Sequence, residues 1–254
     1  MEKQNTDNER NVSLSEDEII EQLLKGVPKS DFIPLELPSK NRFYKLKNPA
    51  KPISIRPMTF EDEKAMVSKK NVNVDILNLL LSRCVDNIDV SQLLQMDKLY
   101  MIMKLRSISY GDEYQATINC SSCRKDNNIV FNLDNLPVNY VDDDLSDPVI
   151  VKLPVLGKEI SLTLPRISDE QYFNSAESTI SNLWRFVESI DGHTSKSLIS
   201  KIIPQLPLKD SKAILSSLST AEYGIQTKVR FICDFCGHNE LMELPITGDF
   251  FTGN

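Results

Sequence analysis

No stretch of this 254-residue chain approaches the roughly 18 consecutive apolar residues of a membrane span. The longest, Ile76–Leu81, is broken by Asn78 and followed by Ser82 and Arg83. The opening MEKQNTDNER is polar and lacks the apolar core of a signal peptide. Positive charge is also scarce. Twenty-nine Lys and Arg face 36 Asp and Glu, a net charge of −7, which argues against gripping nucleic acid by bulk electrostatics but leaves room for a local patch. Histidine is nearly missing: only His193, in a turn-like SIDGHTSK, and His238 occur. No G-x-S-x-G, Walker loop, G-x-G-x-x-G or H-E-x-x-H is present, so no familiar hydrolase, nucleotide or zincin motif supports catalysis. The chain reads as non-enzymatic, with no small-molecule substrate and no membrane partner. The five cysteines are an odd number in a chain with 41% apolar residues. Such a chain can build a core without disulfide staples, so reduced thiols or a metal fit better than a secreted framework.

Four of those cysteines carry the main signal. Cys120 and Cys123 sit in INCSSCRKDN, Cys233 and Cys236 in FICDFCGHNE. Two C-x-x-C pairs are the ligand set of a four-cysteine zinc site, which has no open position and is structural. Gly237 follows the second pair, where a tight backbone turn can aim amides at sulfur. Arg124 takes that place after the first pair and departs from the ideal knuckle. The gap of 109 residues between Cys123 and Cys233 is far longer than in a compact zinc ribbon. His238 abuts the second pair and is a fifth candidate ligand, although four sulfurs already suffice. Cys84 is expected to be a buried apolar thiol.

A repeat explains the long gap. Shifting the chain by 113 residues lays Cys120 on Cys233, Cys123 on Cys236, Tyr110-Gly111 on Tyr223-Gly224 and Asp97 on Asp210. Further upstream, KPISIRPMTFEDE resembles KEISLTLPRISDEQ, and DILNLLLSRCVD resembles TISNLWRFVESID. The fold class is α+β, a tandem duplication of a strand–helices–β-hairpin unit. Each copy starts with a short strand, Ile53/Ile55 or Ile160/Leu162/Leu164, closed by Pro57 or Pro165. Helix starts follow at Thr59 and Ser168, each ahead of acidic residues that suit the helix dipole. A second helix carries Ile76, Leu79 and Leu80, or Ile180, Leu183, Trp184 and Val187. A third runs from near Asp97 or Asp210 to the Tyr-Gly pair. Hairpins follow, over Tyr114–Ile118 with Ile129–Leu133 and Gln226–Ile232 with Glu240–Leu244, each with a C-x-x-C at its tip. Each copy then offers half a zinc site, and zinc clasps the two tips together. Closing a loop of that length costs about 4 kcal/mol, against about 10–16 kcal/mol from a structural zinc. The spacing leaves open that each pair completes its site with another chain.

The organisation implied is a polar tail and short amphipathic helix over 1–26, a proline-rich extended arm over 27–50, a first repeat over 51–140, an acidic linker over 141–157 and a second repeat over 158–254. Residues 1–12 are polar enough to stay disordered. Ser15-Glu16-Asp17-Glu18 matches a capping box, Ile19, Ile20, Leu23 and Leu24 share one face, and Gly26 and Pro28 stop the helix. That helix either packs on its own body or docks on a partner. YVDDDLSDP has four aspartates but neither the glycine nor the distal glutamate of an EF-hand loop, so it reads as solvated linker rather than a calcium site.

LELPSKNRFYKLKNPAKPISIRPMTFEDEKAM resembles the baseplate proteins of T-even-type phages with contractile tails. The matching residues are Leu37-Pro38-Ser39, Phe43-Tyr44 and Arg56-Pro57-Met58-Thr59, and KLRSISYGDEY is similar to that family's helix-to-strand junction. The resemblance covers residues 35–136 well and the second copy more loosely. The family includes the baseplate hub subunit and the hub assembly catalyst, an assembly factor rather than a chemical catalyst. The resemblance implies a structural or assembly role in the hub region, contacts with other baseplate or hub proteins, and a location in the host cytoplasm during assembly or in the virion tail baseplate. The alternative is a zinc-ribbon module binding nucleic acid or the transcription machinery. Against it, Arg124 and Lys125 beside the first pair are offset by Asp234 and Glu240 beside the second.

Overall fold

Ile53 and Ile55 alternate ahead of Pro57, and in the computed structural model both are buried. The structure describes residues 15–23, 25, 31–67, 75–173, 175–219, 223–246 and 248–251. They fall into two units, Met1–Asp31 and Phe32–Asn254. In the first unit, helix α1 spans Glu16–Leu23. The Ser15 amide and hydroxyl donate to the Glu18 carboxylate at 2.7 and 3.0 Å, and the Glu18 amide donates back to Ser15 Oγ at 3.3 Å. This is the expected capping box. The tail over 1–12 and the stop at Gly26 and Pro28 lie outside the described residues.

The second unit begins with a small antiparallel sheet. Strands β1 (Ile33–Pro34), β2 (Ser54–Ile55) and β3 (Val85–Asp86) pair in that order, with helices α2 (Phe60–Val67) and α3 (Asp75–Cys84) between β2 and β3. The proline-rich arm is ordered by what it lies against: β1 pairs with β2, and the Leu35 amide donates to Ile53 O at 2.9 Å. Thr59 starts α2 as expected. Its amide and hydroxyl both donate to Asp62, at 2.9 Å each. Helix α4 (Gln95–Tyr110) ends at Gly111, whose φ of +90° lets the chain turn out of the helix. Strands β4 (Glu113–Asn119) and β5 (Asp126–Asn132) then form the first cysteine hairpin, and β6 (Val138–Asn139) follows.

Residues 141–157 are not a free linker. Val141 is buried, Asp147 pairs with Arg166 and accepts the Leu164 amide at 3.1 Å, and strand β7 (Val149–Lys152) joins a sheet. The apolar alternation of Val149 and Val151 was masked in the sequence by the aspartates just before it. Strand β8 (Glu159–Leu162), helix α5 (Ala176–Asn182) and strand β9 (Val187–Ile190) follow, and the sheet order is β7-β8-β9. The cap expected at Ser168 falls two residues earlier, at Arg166. A 3₁₀ segment, Ile167–Tyr172, begins there, and Asp169 accepts the Arg166 amide at 3.0 Å. Asp191-Gly192 has positive φ at both residues and reverses the chain between Ile190 and His193, as the turn reading of SIDGHTSK required. Helices α6 (Lys196–Ile202) and α7 (Leu208–Leu218), strand β10 (Gly224–Ile225) and the second hairpin, β11 (Lys228–Ile232) with β12 (Asn239–Glu243), complete the chain. The sequence reading did not anticipate α6.

The largest core joins sequence-distant parts. Leu37, Ile53, Leu80, Leu81, Met101 and Leu105 pack together with Phe231, Leu244, Phe250 and Phe251. A second core, around Leu153, Ile160, Leu162, Phe186, Val187, Ile199 and Ile214, belongs to residues 153–218. Further ties run between residues before and after the acidic segment. β10 pairs with β6, the Ile167 amide donates to Leu93 O at 2.9 Å, and the largely buried Lys98 meets Glu170 at 2.5 Å. The two hairpins pack side by side, with Ile118, Phe131, Phe231 and Leu244 in the same core.

Candidate metal centre

Each hairpin tip is a knuckle built by the same two backbone hydrogen bonds. In the first, the Cys120 amide donates to Lys125 O (3.0 Å) and the Arg124 amide to Cys120 O (2.9 Å). In the second, the Cys233 amide donates to His238 O (2.8 Å) and the Gly237 amide to Cys233 O (2.9 Å). The turn needs a left-handed residue after the last cysteine. Gly237 supplies it at φ +69°, and Arg124 adopts it at φ +60°. The departure noted at Arg124 is thus one of residue type and not of geometry.

The tips meet. All four Sγ atoms of Cys120, Cys123, Cys233 and Cys236 lie within 4.8 Å of one another. Cys120 Sγ is 3.8 Å from Cys236 Sγ, and Cys123 Sγ is 3.6 Å from Cys233 Sγ. A tetrahedral ion with metal–sulfur bonds of about 2.3 Å requires sulfurs about 3.8 Å apart. A disulfide requires about 2.05 Å. The cluster therefore has the dimensions of a four-thiolate metal site. Cys120 and Cys233 are buried, Cys123 is half-buried and Cys236 exposed.

The electrostatics of the metal-free thiols follow the knuckle backbone. Burial opposes ionisation of Cys233, but the amides of Phe235 and Cys236 and the hydrogen bonds to Cys123 and Cys236 outweigh it, bringing its pKa down to about 6. At Cys123 the Lys125 amide favours the thiolate. Burial and the hydrogen bonds to Cys233, Cys236 and Cys120 prevail, pushing it up to about 11. The lowered pKa of Cys233 favours its thiolate, the form in which a cysteine binds a metal ion.

Several side chains missed in the sequence tie one tip to the other. Buried Asn127 donates to Lys125 O at 2.9 Å and accepts the Asp234 amide at 2.9 Å. Ser121 Oγ lies 3.1 Å from His238 Nε2 and donates to Glu240 at 3.1 Å. Lys125 Nζ sits 4.7 Å from the Phe235 ring centroid. Nothing local in the sequence marks Asn127 as a bridge. His238 faces Ser121 and Glu240, outside the four-cysteine cluster. His193 sits in its turn, where its amide donates to Ile190 O at 2.9 Å. Cys84 is buried, as expected, and outside the cluster. Burial, followed by the nearby Asp62 charge, pushes its thiol up to about 11.

Among the described residues, no helix is long and apolar enough to cross a membrane. Searches of curated proteins and of solved structures give no match. The model of one protein family, described as T4 bacteriophage base plate protein, matches residues 33–252, which include both hairpins, both three-stranded sheets and all four clustered cysteines. The match spans nearly the whole second unit, and the chain belongs to the T4 bacteriophage base plate protein family.

Proposed function

We propose that this chain is a rigid scaffold of the hub region of a contractile phage tail baseplate, braced by one structural zinc and acting through contacts with other baseplate proteins. Membership of the family carries the structural or assembly role. The observation that carries the bracing is the four-sulfur cluster between two hairpins far apart in sequence. Cys120, Cys123, Cys233 and Cys236 would hold the ion, and its chemistry there is cross-linking. Four thiolates fill a tetrahedron and leave no position for substrate or water. The soft donor set and the sulfur separations favour zinc.

The same reading includes a duplicated unit, with repeats over 51–140 and 158–254. Four features support it. The sheets β1-β2-β3 and β7-β8-β9 share strand order and helical insertions. Buried aspartates, Asp97 and Asp210, occupy the first turns of α4 and α7. Gly111 and Gly224 have φ near +90°. The two knuckles share one hydrogen-bond pattern.

The alternative, a zinc ribbon on nucleic acid, is disfavoured at the tips, where Arg124 and Lys125 share the surface with Asp126, Asp234 and Glu240. The test is genetic and structural. Phage lacking this chain should accumulate tail parts without complete baseplates, seen by electron microscopy, and the wild-type chain should restore them. Normal baseplates without the chain would overturn the reading. Mass spectrometry of purified virions then separates a tail component from an assembly factor that leaves.

A further inference from the structure

Two leucine–proline turns are tied to helices in the same way and finished differently. In the first, Ser39 donates its amide to buried Asp97 of α4 at 3.0 Å. In the second, Val155 and Leu156 donate theirs to buried Asp210 of α7 at 2.7 and 3.0 Å. The first turn is roofed by the acidic segment. The Val141 amide donates to Pro38 O at 2.9 Å, and Lys40 pairs with Asp143 at 2.7 Å. Arg42 donates to the carbonyls of Asp142, Asp143 and Leu145 at 2.9, 2.8 and 3.0 Å. Pro38 and Ser39 are buried beneath that roof.

The second turn has apolar side chains where the first has Ser39 and Lys40, and it is open. Val155 is 54% exposed, Leu156 45%, and Leu208, at the start of α7, 79%. The hydrogen bonds to Asp210 bring this turn onto the helix end that carries Leu208. Exposed Lys209 and Lys212 flank Leu208, the latter one helical turn on. The result is an apolar patch with a basic rim, which on a folded surface marks an interaction site.

Helix α1 has the complementary chemistry. It presents Ile19, Ile20 and Leu23, all exposed, beside Glu16, Asp17 and Glu18, and has no buried residue and no basic residue in its last turn. We propose that α1 of a second copy of this chain docks on the surface formed by Val155, Leu156 and Leu208, with its acidic residues against Lys209 and Lys212. This is a helix-on-patch contact between unlike surfaces, so it assembles copies head to tail. It does not depend on the zinc site or on the place of the chain in the baseplate.

Analytical ultracentrifugation of the full, zinc-loaded chain tests it. The wild type should associate reversibly below about 100 μM, and more weakly as salt rises. Leu208→Asp and Ile20→Asp should each weaken association by about 30-fold or more, the loss of one buried aliphatic side chain. Both positions are exposed, so the variants keep the wild-type circular dichroism spectrum. An equimolar mixture of the two should form one dimer and nothing larger, since one variant keeps an intact α1 and the other an intact patch. Leu241→Asp, on the exposed face of β12, should change nothing. A wild type that stays monomeric at about 100 μM would overturn the proposal. So would a mixture that fails to dimerise, or association that is lost with Leu241→Asp instead.

Discussion

Asp62 and Asp169 do one job in two settings. Each stands three residues after the residue that opens a helical segment and accepts that residue's amide, from Thr59 at 2.9 Å and from Arg166 at 3.0 Å. Asp62 is fully buried and also takes Arg56 at 2.8 Å and Arg83 at 2.6 Å, whereas Asp169 is half-buried. Asp97 and Asp210 repeat the contrast. Both are buried, but Asp97 accepts Ser39 and Tyr44 beneath a roof, and Asp210 accepts two amides of an open turn. In both pairs the earlier aspartate also accepts from side chains of other elements, whereas the later one accepts backbone amides, those bound by Asp210 belonging to the exposed Val155 and Leu156. An enclosed group left without its partner costs far more than a wet one.

The cysteine cluster is where the two halves contribute equally, so its removal should have the largest effect. Cys236→Ser, or a strong chelator on the wild type, should release one zinc per chain and lower the melting temperature by more than about 10 °C. Hydrogen exchange should then quicken at both tips. Metal analysis together with calorimetry checks this, and an unchanged melting temperature on metal loss would show that the tips hold without an ion.

Next comes the ion pair. Asp62→Ala should destabilise by about 4 kcal/mol, because two guanidinium groups lose their partner in a partly closed site. Asp169→Ala should cost about 1 kcal/mol, a lost cap. Urea unfolding of both variants measures the ratio, and equal costs would break the comparison. Asp62 also gives the acid limb its shape. Burial would raise its pKa, but hydrogen bonds from Arg56, Arg83 and Thr59 prevail and hold it well below the usual carboxylate range. A folded value below the unfolded one of about 3.9 stabilises fully at neutral pH and is lost as pH falls below about 4. The acid limb of stability against pH should therefore be shallower in Asp62→Asn.

The buried aspartates of α4 and α7 follow. Asp97→Ala should cost about 3 kcal/mol, since the Ser39 amide and Tyr44 hydroxyl are left unpaired away from water. Asp210→Ala should cost about 1 kcal/mol, since water reaches the open turn. Burial raises the pKa of Asp97, the opposite direction to Asp62. Its contribution to stability therefore declines as pH rises through its folded value, and Asp97→Asn should lose less at neutral pH than Asp97→Ala. Thermal melts at two pH values check both statements.

Much of this was legible from residue spacing. The C-x-x-C pairs located the cluster, and Thr59 with its acidic turn located α2. Besides α6, three things were not legible, the first two because the deciding interaction is non-local. The acidic segment reads as solvated because its aspartates dominate its composition. Yet Arg42 and Arg166, distant in sequence, order it. Asn127 looks like one more polar residue in a hairpin until the other tip supplies the Asp234 amide. The cap at Arg166 is invisible to residue preference, because Asp169 does the capping while the residue at the cap position has no suitable side chain.

The smallest predicted effect is at Arg124: the two knuckles share a left-handed backbone position after the second cysteine and fill it with different residues. Arg124 at φ +60° bears the strain of a left-handed side chain that Gly237 at +69° avoids. Arg124→Gly should therefore stabilise the chain slightly, by about 0.5–1 kcal/mol, since relief of that strain exceeds the added entropy of the unfolded glycine. Gly237→Ala should destabilise by about 1–2 kcal/mol through the same term. No heavy atom lies within 4 Å of where its Cβ would sit, so the cost would come from backbone conformation rather than a clash. Chemical denaturation of the zinc-loaded variants resolves shifts of this size. Opposite signs at the two positions would mean that the knuckles are equivalent in backbone and unequal only in side chain. The same sign at both would mean that Arg124 repays its strain by some contact of its long side chain that glycine cannot make.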